Sequence, residues 1–228
     1  RAAALTYQGA LDSAREYRLR GFDEVERMLR DNYVTALLRS GEAVQAERQV
    51  EYFAGAWPEE WRAPLLMGRL EVYRYDLPAA RRQFEVAVQR NPTAAEAHVG
   101  IGRALMARNS FEEAERRFRR ALRLTEDRSA GAWSGLAMLA LSERAGEGRA
   151  RRFALRALEI DPRDALAHHV VGGLYRRRND VDGMLYHYRI SLQREPNSLP
   201  INRMLRRGKS SAAELLARED LSPPAPLQ

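Results

Sequence analysis

The sequence predicts an all-α protein assembled from about five antiparallel helix pairs. Pro58, Pro92, Pro162 and Pro196 stand 34, 70 and 34 residues apart, so the middle gap holds two periods of 35. Small and large residues recur on the same ruler: Ala80, Phe84, Ala87 and Pro92 return 34 positions later as Ala114, Phe118, Ala121 and Glu126. Apolar residues come back every three or four positions, as on one face of a helix, and nothing reads as a strand. Self-similarity at this period marks stacked two-helix units.

The elements follow in order. Residues 1–26 predict an N-terminal capping helix, apolar at Ala4, Leu11 and Leu19 and ended near Gly21. Five helix pairs are expected over 27–196. The first contains Tyr33, Val34, Leu37, Ala46, Val50, Phe53 and Pro58; the second and third carry Gly68 and Gly102 ahead of the two recurring sets above. The fourth runs Trp133, Leu136, Ala137, Ala140, Ala150, Ala154, Ala157 and Pro162, with one extra residue in the turn at 145–148. The fifth runs His168, Val171, Gly172, Tyr175, Met184, Tyr188, Ser191 and Pro196. Each proline ends a helix, because it has no amide hydrogen and disfavours helical geometry in the residue before it. Ser40-Gly41, Asn109-Ser110 and Asn179-Asp180 supply turn and N-cap residues inside the pairs. Residues 197–220 predict C-terminal capping helices, at Leu199 to Leu205 and Ala212 to Ala217, which a repeat array needs at its end. The Pro-rich tail, 221–228, is expected to be extended, a linker or chain end.

These residues resemble the tetratricopeptide repeat family, whose pattern runs W-x2-L-G-x2-Y, then A-x3-F-x2-A, then P. The resemblance covers residues 27–196. It implies a right-handed superhelical solenoid whose first helices line a concave groove, with the second, fifth, ninth and twelfth positions of each unit pointing inwards. The small residue at the eighth position lets the two helices approach, and the large one at the twenty-fourth fills the gap. Three positions depart from the pattern: Glu126 replaces a proline, Glu71 an aromatic and Met184 a small residue.

Composition narrows the chemistry. The 228 residues include no cysteine, which removes disulfides, thiolate metal sites and a cysteine nucleophile. The longest nearly apolar stretch, Ala132 to Leu141, is far short of the roughly 20 residues that cross a bilayer. His98 and His168 fall at the fourth repeat position, where the neighbouring unit has Trp133, so an aromatic-like packing role is expected. His168 and His169 diverge by about 100° on a helix and cannot converge on one metal. Gly100-Ile101-Gly102 lies within a helix with no strand before it, unlike a phosphate-binding turn. Glu112, Glu113 and Glu115 each stand four residues before an arginine, the spacing of exposed helix-stabilising pairs. No catalytic residue, cofactor or metal site is nominated, and an enzyme is not expected.

Recognition remains. From the resemblance, the groove floor is Leu65, Val72, Val99, Met106 and Leu141, with guanidinium groups at Arg69, Arg103 and Arg176. Such a surface suits a partner segment that is both apolar and acidic, since arginine forks pair carboxylates bidentately. The Lys and Asn of the family's carboxylate clamp are missing, so a chaperone tail is not the expected ligand. Charge is uneven: 38 basic against 31 acidic side chains give +7 overall, but residues 1–115 carry −2 and residues 116–228 carry +9. Arg116, Arg117, Arg120, Arg152 and Arg156 form a basic patch on second helices, the convex side.

The expected function is therefore a non-catalytic scaffold that binds a peptide or protein partner; a nucleic-acid-binding helical repeat is the alternative. The ninth position runs Arg69, Arg103, Met138, Gly173 and keeps no stacking chemistry, which disfavours a base-per-repeat code. The arginine bias, with Lys209 the sole lysine, suggests a bacterial coding origin. The first residue is Arg1, consistent with a removed leader or a trimmed chain. With a leader removed, the expected place is periplasmic or outer-membrane-associated; otherwise it is cytoplasmic. In size and architecture the chain resembles pilotin-like lipoproteins that help assemble secretins and pili. Its oligomeric state is not legible in the sequence.

Overall fold

A computed structural model describes residues 2–16, 22–143, 145–195, 211–218 and 220–226. Among these residues it contains twelve helices and no strand: α1 (Ala2–Glu16), α2 (Phe22–Arg39), α3 (Ala43–Ala56), α4 (Arg62–Tyr73), α5 (Leu77–Arg90), α6 (Ala95–Ala107), α7 (Phe111–Leu124), α8 (Ala130–Ser142), α9 (Glu147–Ile160), α10 (Ala165–Arg177), α11 (Val181–Arg194) and α12 (Ala212–Ala217). The five expected pairs are α2/α3 through α10/α11. The chain divides into two compact units, residues 1–104 and 105–228.

In the first unit, Ala4 and Leu11 of α1 are buried in one cluster with Tyr33, Val34, Leu37, Val50 and Phe53. The Tyr33 hydroxyl donates to Gln8 Oε1 at 3.3 Å and ties α1 to α2. Leu19 and Gly21 lie outside the described residues. The expected boundary between cap and first pair, at 26/27, falls inside α2: Asp23 and Glu24 favour the positive N-terminal end of that helix, and no breaker follows before Arg39. Gly68 of α4 packs directly on Phe84 of α5, where an added Cβ would lie 2.5 Å from the ring. This is the close approach expected of the eighth and twenty-fourth positions. Phe84 also meets Gly100 of α6, so its ring is clasped between two glycines.

The same device recurs in the second unit, where Phe118 packs on Gly135 and Tyr188 on Gly172. A core of Ala137, Ala140, Ala150, Ala154, Ala157, Val170, Val171 and Leu174 joins α8, α9 and α10. Met184 stands where a small residue is usual, and Gly183 beside it supplies the missing room, lying against the Tyr175 ring. Ser211 and Glu214 form a reciprocal capping box at the start of α12. Leu215 of that helix is buried with Tyr188, Leu192 and Leu221. Pro196 and the expected helix at Leu199 to Leu205 lie outside the described residues.

Four of the five turns inside the pairs share one feature. Gly41, Tyr75, Asn109 and Asn179 all take positive φ, at 82°, 63°, 61° and 59°. They stand 34, 34 and 70 residues apart, on the same ruler as the prolines, so the repeat is a repeat of backbone conformation as well as of packing. Glu126 explains its own departure from proline. Its φ is 48° and that of Asp127 is 61°, a path that a proline ring, locked near −65°, cannot follow. The Asp180 side chain caps α11 by accepting from Gly183 N at 2.8 Å, whereas Ser110 precedes α7 without a side-chain cap bond.

Candidate recognition surfaces

The first-helix face of the first unit is largely occupied by its own charges. Arg69 of α4 pairs with Asp31 of α2 and with Glu96 of α6, and donates to Thr35 Oγ1 at 3.0 Å. Burial pulls the Arg69 guanidinium down, but Glu96 and Asp31 outweigh it and hold the group above its ordinary value. Arg62 reaches Glu60 at 3.1 Å and Glu24 at 3.7 Å. Arg27 sits 2.5 Å from Glu24 and 3.8 Å from Glu60. Acid, base and acid thus alternate from α2 to α4 to α6. Leu65, assigned to the groove floor, is only 1% exposed and belongs to the core. Val72, Val99 and Arg103 are half-buried, and Arg103 is engaged within the fold. The repeat register that the resemblance implies assigned Arg69 to the groove but could not show that Asp31 and Glu96 converge on it.

In the second unit, Met106, Met138, Leu141 and Leu166 are half-buried. Arg176, at the end of α10, is exposed and makes no ion pair among the described residues. His169 lies near it and stacks on Tyr188 with ring centroids 5.4 Å apart. Burial, with Arg176 adding to it, pushes the His169 imidazole down to about 4. The basic patch is mixed. Arg116, Arg120 and Arg152 are exposed without an ion pair among the described residues, Arg117 is half-buried and engaged, and Arg156 pairs with Glu159 at 2.7 Å. Of the three expected pairs on α7, Glu115 with Arg119 is present at 2.7 Å.

The fourth repeat position does more than pack. His98 Nε2 lies 3.2 Å from the carbonyl of Pro92, His168 Nε2 lies 3.0 Å from that of Pro162, and Trp133 Nε1 lies 2.9 Å from that of Asp127. In each case a ring N–H closes the inter-repeat turn on a carbonyl six residues back. A carbonyl only accepts, so His98 and His168 carry their protons on Nε2. His168 Nδ1 is then left to accept from His187 Nδ1 at 2.8 Å. His187 stacks between His168 and Tyr175, at 5.1 and 5.3 Å. Burial, with His168 beside it, pushes His187 down to about 4, and burial also lowers His168. Among the described residues no three His, Asp or Glu side chains converge as a metal site, and no helix is long and apolar enough to cross a membrane.

Residues 74–139 match the family pattern of the tetratricopeptide repeat. That segment, from the end of α4 into α8, carries the tetratricopeptide pattern. No curated protein matches the sequence. Among solved structures, the chain is similar to the APC/C hetero-tetramer Cut9-Hcn1 with a TM-score of 0.60 at 16% identity, covering 90% of this chain and 42% of that one. It thus spans less than half of that relative's length. A thermophilic tetratricopeptide-repeat protein of Thermus thermophilus gives a TM-score of 0.60 at 17% identity, over 83% of this chain and 98% of that one. PilW, a widely conserved type IV pilus biogenesis factor, gives 0.55 at 17% identity, over 83% and 90%. At these identities the likeness is one of fold. The pairing of successive helices is the shared feature of that fold.

Proposed function

We propose that the chain is a non-catalytic scaffold that binds a segment of a partner protein along its first helices, in the assembly of a bacterial envelope complex such as a secretion or pilus system. The repeat fold supports a protein partner, and the likeness to a pilus biogenesis factor favours the envelope setting. One observation carries the choice of surface. In the second unit, half-buried Met106, Leu141 and Leu166 accompany an exposed Arg176 without an ion pair among the described residues, whereas Arg69 in the first unit is already satisfied by two carboxylates. Leu141 and Arg176 are therefore assigned to ligand binding, and Arg69 to holding α2, α4 and α6.

Affinity capture followed by mass spectrometry identifies the partner, and calorimetry on the identified segment tests the surface. Leu141→Glu and Arg176→Glu are expected to weaken binding by roughly tenfold or more each, about 1.4 kcal/mol, with thermal unfolding of the Arg176 variant little changed. Unchanged affinity in both would remove the second unit's first-helix face from the interface.

Arg116, Arg120 and Arg152, exposed and without an ion pair among the described residues, support a second reading, in which α7 and α9 contact a nucleic acid. Retention of the chain on a labelled oligonucleotide across a salt series decides it. Tight binding with a steep salt slope favours nucleic acid, and release at low salt excludes it.

A further inference from the structure

Residues 220–226 form no helix or strand, yet they are held against the protein. Leu221 is 6% exposed and shares a cluster with Tyr188, Leu192 and Leu215. The Arg189 guanidinium of α11 donates to the carbonyl of Arg218 and, at 3.4 Å, to that of Leu221. The Tyr175 hydroxyl of α10 donates to the carbonyl of Ala225. Pro223, Pro224 and Pro226 have no amide hydrogen, so carbonyls are their only backbone groups that need partners. The protein meets the tail with donors, and with one apolar site for one leucine. This is the division of labour by which grooves take extended segments: main-chain bonds hold the strand and a side-chain pocket sets its register. A prolyl segment also arrives with little conformational freedom left to lose.

The fit is partial. A cavity of about 410 Å³ remains beside the segment, lined by Asp180, Asp182, Gly183, Arg218 and Asp220 together with residues 221–225. A core element would fill that space.

We propose that the outer edge of the last helix pair is a peptide-binding groove for extended segments with a leucine followed by prolines, and that residues 220–226 are its resident ligand, bound within the same chain. Arg189 and Tyr175 grip the backbone, and the site beside Tyr188, Leu192 and Leu215 reads the leucine.

The test uses the full chain and a fluorescent peptide spanning Arg218 to Pro226. Leu221→Ser releases the anchor, and that variant is expected to bind the peptide at least roughly tenfold more tightly than the unaltered chain, whose groove is filled. Adding Arg189→Ala is expected to abolish the gain. Absence of binding to the Leu221→Ser chain, equal binding to both chains, or binding indifferent to Arg189→Ala overturns the proposal. A second measurement needs no peptide. Trypsin cleavage after Arg218, followed by mass spectrometry, is expected to accelerate several-fold in Tyr175→Phe, a change that removes only one hydroxyl; equal rates again overturn it. Sedimentation checks that the tail is bound within one chain, and a dimer that Leu221→Ser dissolves overturns that assignment.

Discussion

At the scale of single residues, the fourth repeat position shows how far a sequence pattern reaches. Its aromatic character is legible because His98, Trp133 and His168 align. The bond that each ring makes is not, because it depends on where a carbonyl six residues back is carried by the turn. The geometry predicts measurable costs. His98→Phe removes the hydrogen bond to the Pro92 carbonyl and is expected to cost about 1 kcal/mol or more in urea unfolding. His168→Phe removes the bond to the Pro162 carbonyl and the one from His187, and is expected to cost about 2 kcal/mol. A His168→Phe chain as stable as the parent would show that neither contact contributes. Tyr75 offers the opposite sign. It holds φ 63° where the other turns have Gly41, Asn109 and Asn179. A left-handed conformation costs an ordinary L-residue about 1–2 kcal/mol, so Tyr75→Asn is expected to raise the unfolding midpoint, less whatever contact the Tyr75 ring provides.

At the scale of elements, helix existence and pairing were legible because the apolar period and the proline ruler agree over five units. The first boundary was not: nothing in the composition near residue 26 starts or stops a helix, and α2 simply begins earlier, at Phe22. Helical phase places Leu65 and Arg69 on one face, but burial closes Leu65 and long-range acids claim Arg69. Arg176 escapes this because it stands at the exposed end of α10. The extra residue in the α8–α9 turn has its own requirement. Gly146 is not in the left-handed region, at φ −88°, yet a Cβ there would run into the backbone carbonyl of Ala140. Gly146→Ala is expected to lower stability by about 1–3 kcal/mol, since the turn must shift to admit one methyl group. A thermal melt that matches the parent would show that this turn yields freely.

At the scale of the whole molecule, the last repeat is expected to make folding acid-sensitive. The imidazoles of His169 and His187 titrate near 4 in the fold, below the value of about 6.5 in an unfolded chain. Between those limits the unfolded chain binds more protons, so stability is complete above about pH 6.5 and is lost as pH falls towards 4. A buried imidazole shifted this far accounts for up to about 3 kcal/mol. Urea titrations at pH 7, 5.5 and 4.5 should show the decline, and His169→Gln should make it shallower. A pH dependence unchanged by that substitution would mean that His169 is solvated in the native state.

The closure of three inter-repeat turns by a ring N–H, at His98, Trp133 and His168, carries a consequence for how such chains drift. What those three rings share is a flat shape with one hydrogen to give. Indole and imidazole are interchangeable there, as this chain shows within its own length, while phenylalanine, nearest to both in shape and greasiness, is the poorer heir. The second pair has Pro64 at the same register, with no hydrogen to give, and there the Arg90 guanidinium of α5 donates to the carbonyl of Pro58 at 2.6 Å. A tandem array can therefore wander away from its signature tryptophan, lose resemblance letter by letter, and still fasten its turns by other donors.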